Sequence, residues 1–501
     1  MISQRKAGAI FGYANILTKN LVNLIYTPML LSFIGQADYG VFQTSNSFVF
    51  SLSLLSLGFS GAYVRFFTQY EAHGTEDDIC NLNGLYLILY ALVSAAALVL
   101  GLVFAANVGF FFSESFTPDQ ITLAGFLMAV MAVNIAVTLF STVFDSYILA
   151  RERLVFQQSR QLFTSLATPF LAFLLLVFGM GAVGVALAQL PVSFVLLALN
   201  ARFAVRRLGM RFNLGHFDWV LFRALVAFSG WLFANQVCDL VNQSVPNMLL
   251  GALTSASIVA VFAVAVQVRN VFVSLSTALS NVFVPKINRI VAASDDNVEL
   301  TALMATVGRY QMVVFCWVYG GFALLGRFFV ANWAGEGFME SYRLILAMAL
   351  PLVLPLTQNT GIEIQRAKNR HRARSVVMLI MALFNVVFTW AMSPVLQCWA
   401  PAIGYITSIS LGNGLFMNWY YHYRIGLDIG YFWRRNLPVL GSSALVTVAC
   451  LLISAILKVE SWLTFCVWGL AYSALFTAAL WLFVADDSEK EAVRTRLPFF
   501  G

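Results

Sequence analysis

Apolar residues in this chain come in runs of about twenty, one after another from end to end. A helix needs about 20 apolar residues to cross the roughly 30 Å hydrocarbon core of a bilayer. By that measure the sequence holds about fourteen spans, at 9–33, 41–66, 83–107, 120–146, 160–179, 183–203, 220–244, 255–284, 303–331, 341–365, 375–394, 400–423, 437–457 and 461–484. A soluble domain needs about 25% charged residues to cover its surface. Here 11% are charged and 60% hydrophobic, so lipid must be part of the solvent. The sequence predicts an all-α polytopic membrane protein with about 14 transmembrane helices.

The formal charge of +7 is distributed by connection. Arg151, Arg153, Arg206, Arg207, Lys286, Arg289, Arg366, Lys368, Arg370, Arg424, Arg434 and Arg435 lie at one set of connections. The alternate connections, 34–40, 107–119, 245–254 and 394–400, contain no Lys or Arg. The positive-inside rule therefore puts both termini in the cytoplasm, as an even number of spans requires. The run Arg366 to Arg374 is explained by anionic lipid beside a cytoplasmic loop and needs no nucleic acid. Arg5 and Lys6 precede a full span rather than a cleavable signal.

Sliding the chain against itself gives a match at an offset of 220. Ala14-Asn15 meets Ala234-Asn235, Val41-Phe42 meets Val261-Phe262, and Leu55-Ser56 meets Leu275-Ser276. Six spans separate the copies, so they share one orientation and form a parallel repeat. A second match, Leu214-Gly-His-Phe217 with Ile429-Gly-Tyr-Phe432, introduces spans 7 and 13. The expected organisation is a six-helix lobe at 1–210, a second at 211–425, two further helices at 426–485 and a cytoplasmic tail at 486–501. Two related bundles suggest a path between them, opened to each side in turn by rocking.

Charged and amide side chains inside spans mark where that path would be wet. Span 1 carries Asn15, Lys19 and Asn23 at helical spacing on one face. An ionised group near mid-membrane costs about 2.5–3.5 kcal/mol on insertion scales, so Lys19 should face water or a partner. Span 7 carries Asn235, Asp239 and Asn242, and the offset sets Asp239 against Lys19. Span 8 adds Gln267, Arg269 and Asn270, with Ser274, Thr277 and Asn281 continuing the stripe. These residues read as a hydrated vestibule for an anionic substrate, with Asp239 restraining a cation when it is empty. The bland alternative is a set of ion pairs holding helices together. Pro351 and Pro355 could make span 10 a hinge, and Asp145 and Glu363 read as interfacial ion-pair members.

Other chemistries lack their residues. Gly179-Met-Gly181-Ala-Val-Gly184 has dinucleotide spacing but sits in a tight turn between spans, without a βαβ unit. The four histidines lack metal spacing, the six cysteines form no disulfide framework, and no phosphate loop is present. No metal or cofactor is expected. A polymerase or ligase would need a sizeable outer loop, and the longest, 107–119, has about a dozen residues, so a transporter is expected rather than an enzyme.

Tyr26-Thr-Pro28 through Gly35-Gln-Ala-Asp-Tyr39-Gly40 resembles the first-span signature of bacterial polysaccharide flippases. So do Leu57-Gly58-Phe59 with Ala62-Tyr-Val-Arg65, Asn332-Trp-Ala-Gly335, and Gln358-Asn359-Thr-Gly361 through Ala367-Lys-Asn-Arg370. These flippases form the polysaccharide branch of the multidrug/oligosaccharidyl-lipid/polysaccharide exporter superfamily. The resemblance implies two six-helix lobes plus two helices in the bacterial inner membrane. It implies transfer of an undecaprenyl-pyrophosphate-linked oligosaccharide to the outer leaflet by alternating access. Lys19 and Arg269 answer to the cavity cations of relatives, with Arg65 nearer the cytoplasmic mouth. Expected partners are the lipid-linked oligosaccharide, membrane lipid, H⁺ or Na⁺ if transport is coupled, and other membrane proteins of polysaccharide assembly. Asp239 is the coupling candidate. The competing reading is a Na⁺- or H⁺-coupled multidrug exporter of the same superfamily.

Overall fold

A computed structural model describes residues 4–215, 218–281, 283–370, 372–486 and 490. Among them there is no strand. The helices are α1 (Gln4–Ser51), α2 (Phe59–His73), α3 (Glu76–Ala106), α4 (Val108–Phe112), α5 (Pro118–Ala150), α6 (Leu154–Val177) and α7 (Gly181–Arg202). They continue as α8 (Trp219–Gln243), α9 (Val245–Leu253), α10 (Ala256–Asn281), α11 (Val284–Ala293), α12 (Asn297–Trp333), α13 (Met339–Ala349), α14 (Val353–Thr357) and α15 (Asn359–Ala367). The last are α16 (Arg372–Leu396), α17 (Trp399–Ile409), α18 (Met417–Tyr420), α19 (Ile429–Ile456) and α20 (Trp462–Phe483).

Among the described residues eleven helical segments are long and apolar enough to cross a membrane. The sequence runs outnumber them for local reasons. Runs 1 and 2 share one continuous segment, Thr18–His73, run 7 contributes the shorter Trp219–Gly230, and run 12 is divided among short pieces. The segment that joins runs 1 and 2 bends at Gly35, whose φ of 76° favours a residue without Cβ. Run 2 is itself interrupted after Ser56, where Leu57 takes a left-handed φ of 47°.

Helix starts are set by side chains that accept from the first free N–H groups. Thr75 and Asp78 form a capping box on α3, and Thr117 with Gln120 forms one on α5 behind Pro118. Asp218 accepts from the N–H groups of Val220 and Leu221, and Asp428 from that of Tyr431. Both α8 and α19 thus start at an aspartate, Asp218 after the first matched segment and Asp428 before the second; His216 and Phe217 lie outside the described residues.

The chain divides into two compact units, 1–263 with 386–400, and 264–385 with 401–501. In the first, α3 packs on α5 and α5 on α7, around a core of Phe59, Tyr63, Phe67, Tyr86 and Tyr147. Tyr63 donates to Asn83 Oδ1 at 2.5 Å, and Asn83 Nδ2 to the Arg211 carbonyl at 2.8 Å. The part of α1 just after its bend packs on the first turn of α10. Gln36 Nε2 reaches the Ser257 carbonyl at 3.3 Å, and a Cβ at Gly40 would stand 1.8 Å from the Ala256 oxygen. Any side chain at residue 40 would push these turns apart. Asp145 is bonded to Arg160, which also reaches Asn200 Oδ1, while Asn200 Nδ2 donates to Ser141 Oγ at 2.9 Å.

In the second unit α12 packs on α19, and Ile287, Met304, Ile364, Tyr421 and Phe432 form the core. Arg309, buried in α12, donates to the carbonyls of Arg435 in α19 and Val484 at the end of α20, at 2.9 and 2.5 Å. In the basic run at the end of α15 the Lys368 side chain is buried, while Arg366 and Arg370 are exposed. Lys368 reaches Asp295 and Asn297 at 2.7 Å each, Arg370 donates to the Arg424 carbonyl, and Arg366 pairs with Glu363 at 2.6 Å. The positive-inside reading of that loop leaves out these internal partners.

Candidate functional site

The cations inside spans are the place to begin, because lipid cannot solvate them. Arg269 lies in the middle of α10 and is 5% exposed. Its guanidinium carbon stands 4.3 Å from the centre of the Tyr405 ring, a residue of α17 in the same unit. One Nη donates to Asn270 Oδ1 at 3.1 Å, and among the described residues Nε has no partner. Arg65, at an exposed position of α2, sits 4.4 Å over the Phe228 ring of α8. An aromatic face attracts a guanidinium, by about 0.5–2 kcal/mol, without neutralising it. Each guanidinium is thus held against an aromatic ring.

Lys19 is exposed on α1. Asn15, one turn before it, is buried against α6. Its Nδ2 donates to the Gln158 carbonyl, to Gln158 Oε1 and to Gln161 Oε1, each at 3.2 Å. Of the stripe expected on span 1, Asn15 is used in packing, Lys19 stays open and Asn23 is half-buried. Asn242 and Gln267 are half-buried and Asn270 is exposed. The side chains of Asn235, Asp239, Thr277 and Asn281 lie outside the described residues. The structure thus brings together Arg269 and Asn270, and sets Asn15 and Lys19 beside α6.

Four contributors were not read from sequence: Tyr405, Phe228, Gln158 and Gln161. The two rings look like ordinary apolar filling. The glutamines carried a usable signal, since Gln157-Gln158 and Gln161 are amides early in an apolar run. Asp145 and Glu363 are engaged by Arg160 and Arg366, as interfacial pair members should be. Among the described residues no group of three His, Cys, Asp or Glu could hold a metal ion.

A second polar assembly lies where run 10 breaks. Leu350–Leu352 is a 3₁₀ turn containing Pro351, and Gln358 separates α14 from α15. Run 12 answers with a π-helical stretch at Ser410–Phe416. Asn418 joins the two. Its Oδ1 accepts from Gln358 Nε2 at 2.7 Å and Trp433 Nε1 at 3.0 Å, while its Nδ2 donates to the Asn413 and Gly414 carbonyls. Backbone groups freed by irregular turns are satisfied inside the protein, as lipid requires.

Residues 6–291 match the family described as polysaccharide biosynthesis protein. The uncharacterized membrane protein EpsK of Bacillus subtilis strain 168 is 22% identical over 483 residues, covering 94% of this chain and 93% of its own. Among solved structures, a lipid II flippase MurJ in an inward closed conformation aligns with a TM-score of 0.72 at 13% identity, over 94% of this chain and 98% of that one. An inward-facing multidrug resistance transporter of the MATE family aligns with 0.63 at 13%, over 83% and 98%. At these identities the two structures show a shared fold.

Proposed function

This chain belongs to the polysaccharide biosynthesis protein family and is a membrane transporter of the exporter superfamily, and on that premise we propose that it is a flippase. Its cargo is an undecaprenyl-pyrophosphate-linked oligosaccharide, moved from the inner to the outer leaflet of the bacterial inner membrane by alternating access. Residues 1–210 and 211–425 act as the two six-helix repeats, 426–485 as the added pair, and both termini lie in the cytoplasm. Arg269 carries the reading. Among the described residues Arg269 is held by the Tyr405 ring and by no carboxylate, which supports a role for its charge toward a diphosphate or an acidic sugar. Lys19 and Arg65 supply further positive charge to the cargo, and Asn23, Asn242, Gln267 and Asn270 supply hydrogen bonds. Asn235 lines the same path. Asp239 is the coupling residue if H⁺ or Na⁺ drives the cycle, and other polysaccharide-assembly proteins receive the product.

The test is cellular. Depletion of the protein should leave lipid-linked oligosaccharide on the cytoplasmic leaflet, scored by its accessibility to a membrane-impermeant reagent in inverted and right-side-out vesicles. Unchanged distribution between leaflets would overturn the assignment.

A further inference from the structure

The pair of helices that ends the chain, α19 and α20, closes on a cleft in which no residue has been assigned to the cargo. Both helices are long and apolar enough to cross a membrane, so the short connection between them, 457–461, lies in the headgroup layer. Trp462 and Phe465 pack on Phe328 of α12, their ring centres 5.3 and 5.7 Å from its own. At about 100° per residue, this turns Thr464, Val467 and Trp468 to the other side of α20, away from α12. There they line a cleft of about 390 Å³ together with Ile456, Leu457, Lys458 and Glu460. That volume falls within the roughly 300–1,000 Å³ of small-molecule pockets. Ile456, Leu457 and Val467 are exposed apolar residues at the end of a span, so the cleft opens toward lipid.

We infer that this cleft seats the headgroup of a zwitterionic phospholipid that carries a primary amine. Its lining holds one charge of each sign, and among the described residues neither Lys458 nor Glu460 is part of an ion pair. Two positions apart in the chain, their Cα atoms stand at most about 7 Å from each other. The N–H groups of Glu460 and Ser461 are already given to Thr464 Oγ1, at 3.2 and 3.0 Å, which leaves the Lys458 ammonium as the partner for a lipid phosphate. The Glu460 carboxylate accepts from the lipid ammonium, and Ile456, Leu457 and Val467 meet the start of the acyl chains. Trp468 supplies the aromatic ring expected at that depth. An anionic headgroup without an amine would set its charge against Glu460. A choline headgroup has no N–H to give a carboxylate, and one indole is not the aromatic cage that a quaternary ammonium takes. The inference goes beyond the flippase reading and does not depend on it.

Native mass spectrometry of the purified full chain tests it, with phosphatidylethanolamine, phosphatidylcholine and phosphatidylglycerol of the same acyl chains added in turn. Phosphatidylethanolamine should bind about five-fold more tightly than either of the others. Glu460→Gln keeps the shape and removes the charge, and should bring the affinity for phosphatidylethanolamine down to that for phosphatidylcholine. Lys458→Gln should weaken all three by about three-fold, since each carries the phosphate. The ranking of the three lipids on the unaltered chain needs no variant to fold, and equal binding or a preference for phosphatidylglycerol overturns the inference. So does a preference for phosphatidylethanolamine that survives Glu460→Gln. Either result leaves the flippase reading standing, because that reading is scored by the distribution of cargo between leaflets.

Discussion

In the first repeat α5 runs unbroken from Pro118 to Ala150; 220 residues on, the corresponding stretch is cut into α13, a 3₁₀ turn, α14 and α15. The same holds for α7, whose counterpart is divided into α17, a π stretch and α18. Buried polar groups differ in step. Asp145, Arg160, Asn200 and Ser141 are joined in one network, whereas the offset turns those positions into Gln365, Ile380, Tyr420 and Gly361. Gln365 is wholly buried and, among the described residues, neither of its side-chain polar atoms has a partner. The cause is local. Pro351 and Pro355, which cannot donate an N–H, stand where the first repeat has Met131 and Ile135. The two stretches are thus held differently: α5 through the network of Asp145, Arg160 and Asn200, and the broken stretch through Asn418.

The comparison can be broken most severely at the cations. Arg269→Glu and Lys19→Glu should each abolish transport, read as loss of surface polysaccharide, while membrane insertion is retained. Tyr405→Leu should lower transport several-fold and Tyr405→Phe much less, because about 0.5–2 kcal/mol of cation–π attraction is at stake. In the first repeat Arg160→Met leaves Asp145 without its cation and Asn200 Oδ1 without its donor, and should lower stability by about 2–3 kcal/mol in thermal unfolding, since the Asp145 carboxylate is about a third exposed. In the second, Asn418→Leu removes the bridge between the breaks and should cost about 2–3 kcal/mol, with a larger effect on transport rate than on abundance. Gln365→Leu should do the opposite of Arg160→Met and raise the melting temperature by the equivalent of about 1 kcal/mol, since it replaces an unpaired buried amide by a group of similar size. Equal signs for Arg160→Met and Gln365→Leu would erase the distinction between the repeats.

Sequence reading reached the fold because lipid leaves few choices. Apolar length constrains a spanning helix directly, and the all-helical membrane architecture follows from it. The interruptions were half legible. Pro351 and Pro355 announce the break in run 10, but nothing comparable announces the π stretch at Ser410–Phe416, which follows from packing against that break. At the site, Arg269 and Lys19 stood out as charges among apolar neighbours. Their companions did not, because Tyr405 and Phe228 become cation partners only when two helices meet. Asn15 shows the limit from the other side. It shares a helical face with Lys19 and yet points at α6, since a stripe defines direction only to within the width of a neighbouring helix.

Arg309 has a consequence for how the protein is made. The carbonyl it holds at the end of α20 belongs to a residue 175 positions later in the chain. Its other partners, the Arg435 carbonyl in α19 and the Asp486 carboxylate at 3.9 Å, also come late in the chain. Until α19 and α20 have been synthesised none of these three contacts can form, so the packing of α12 is finished only when the last helix pair is in place.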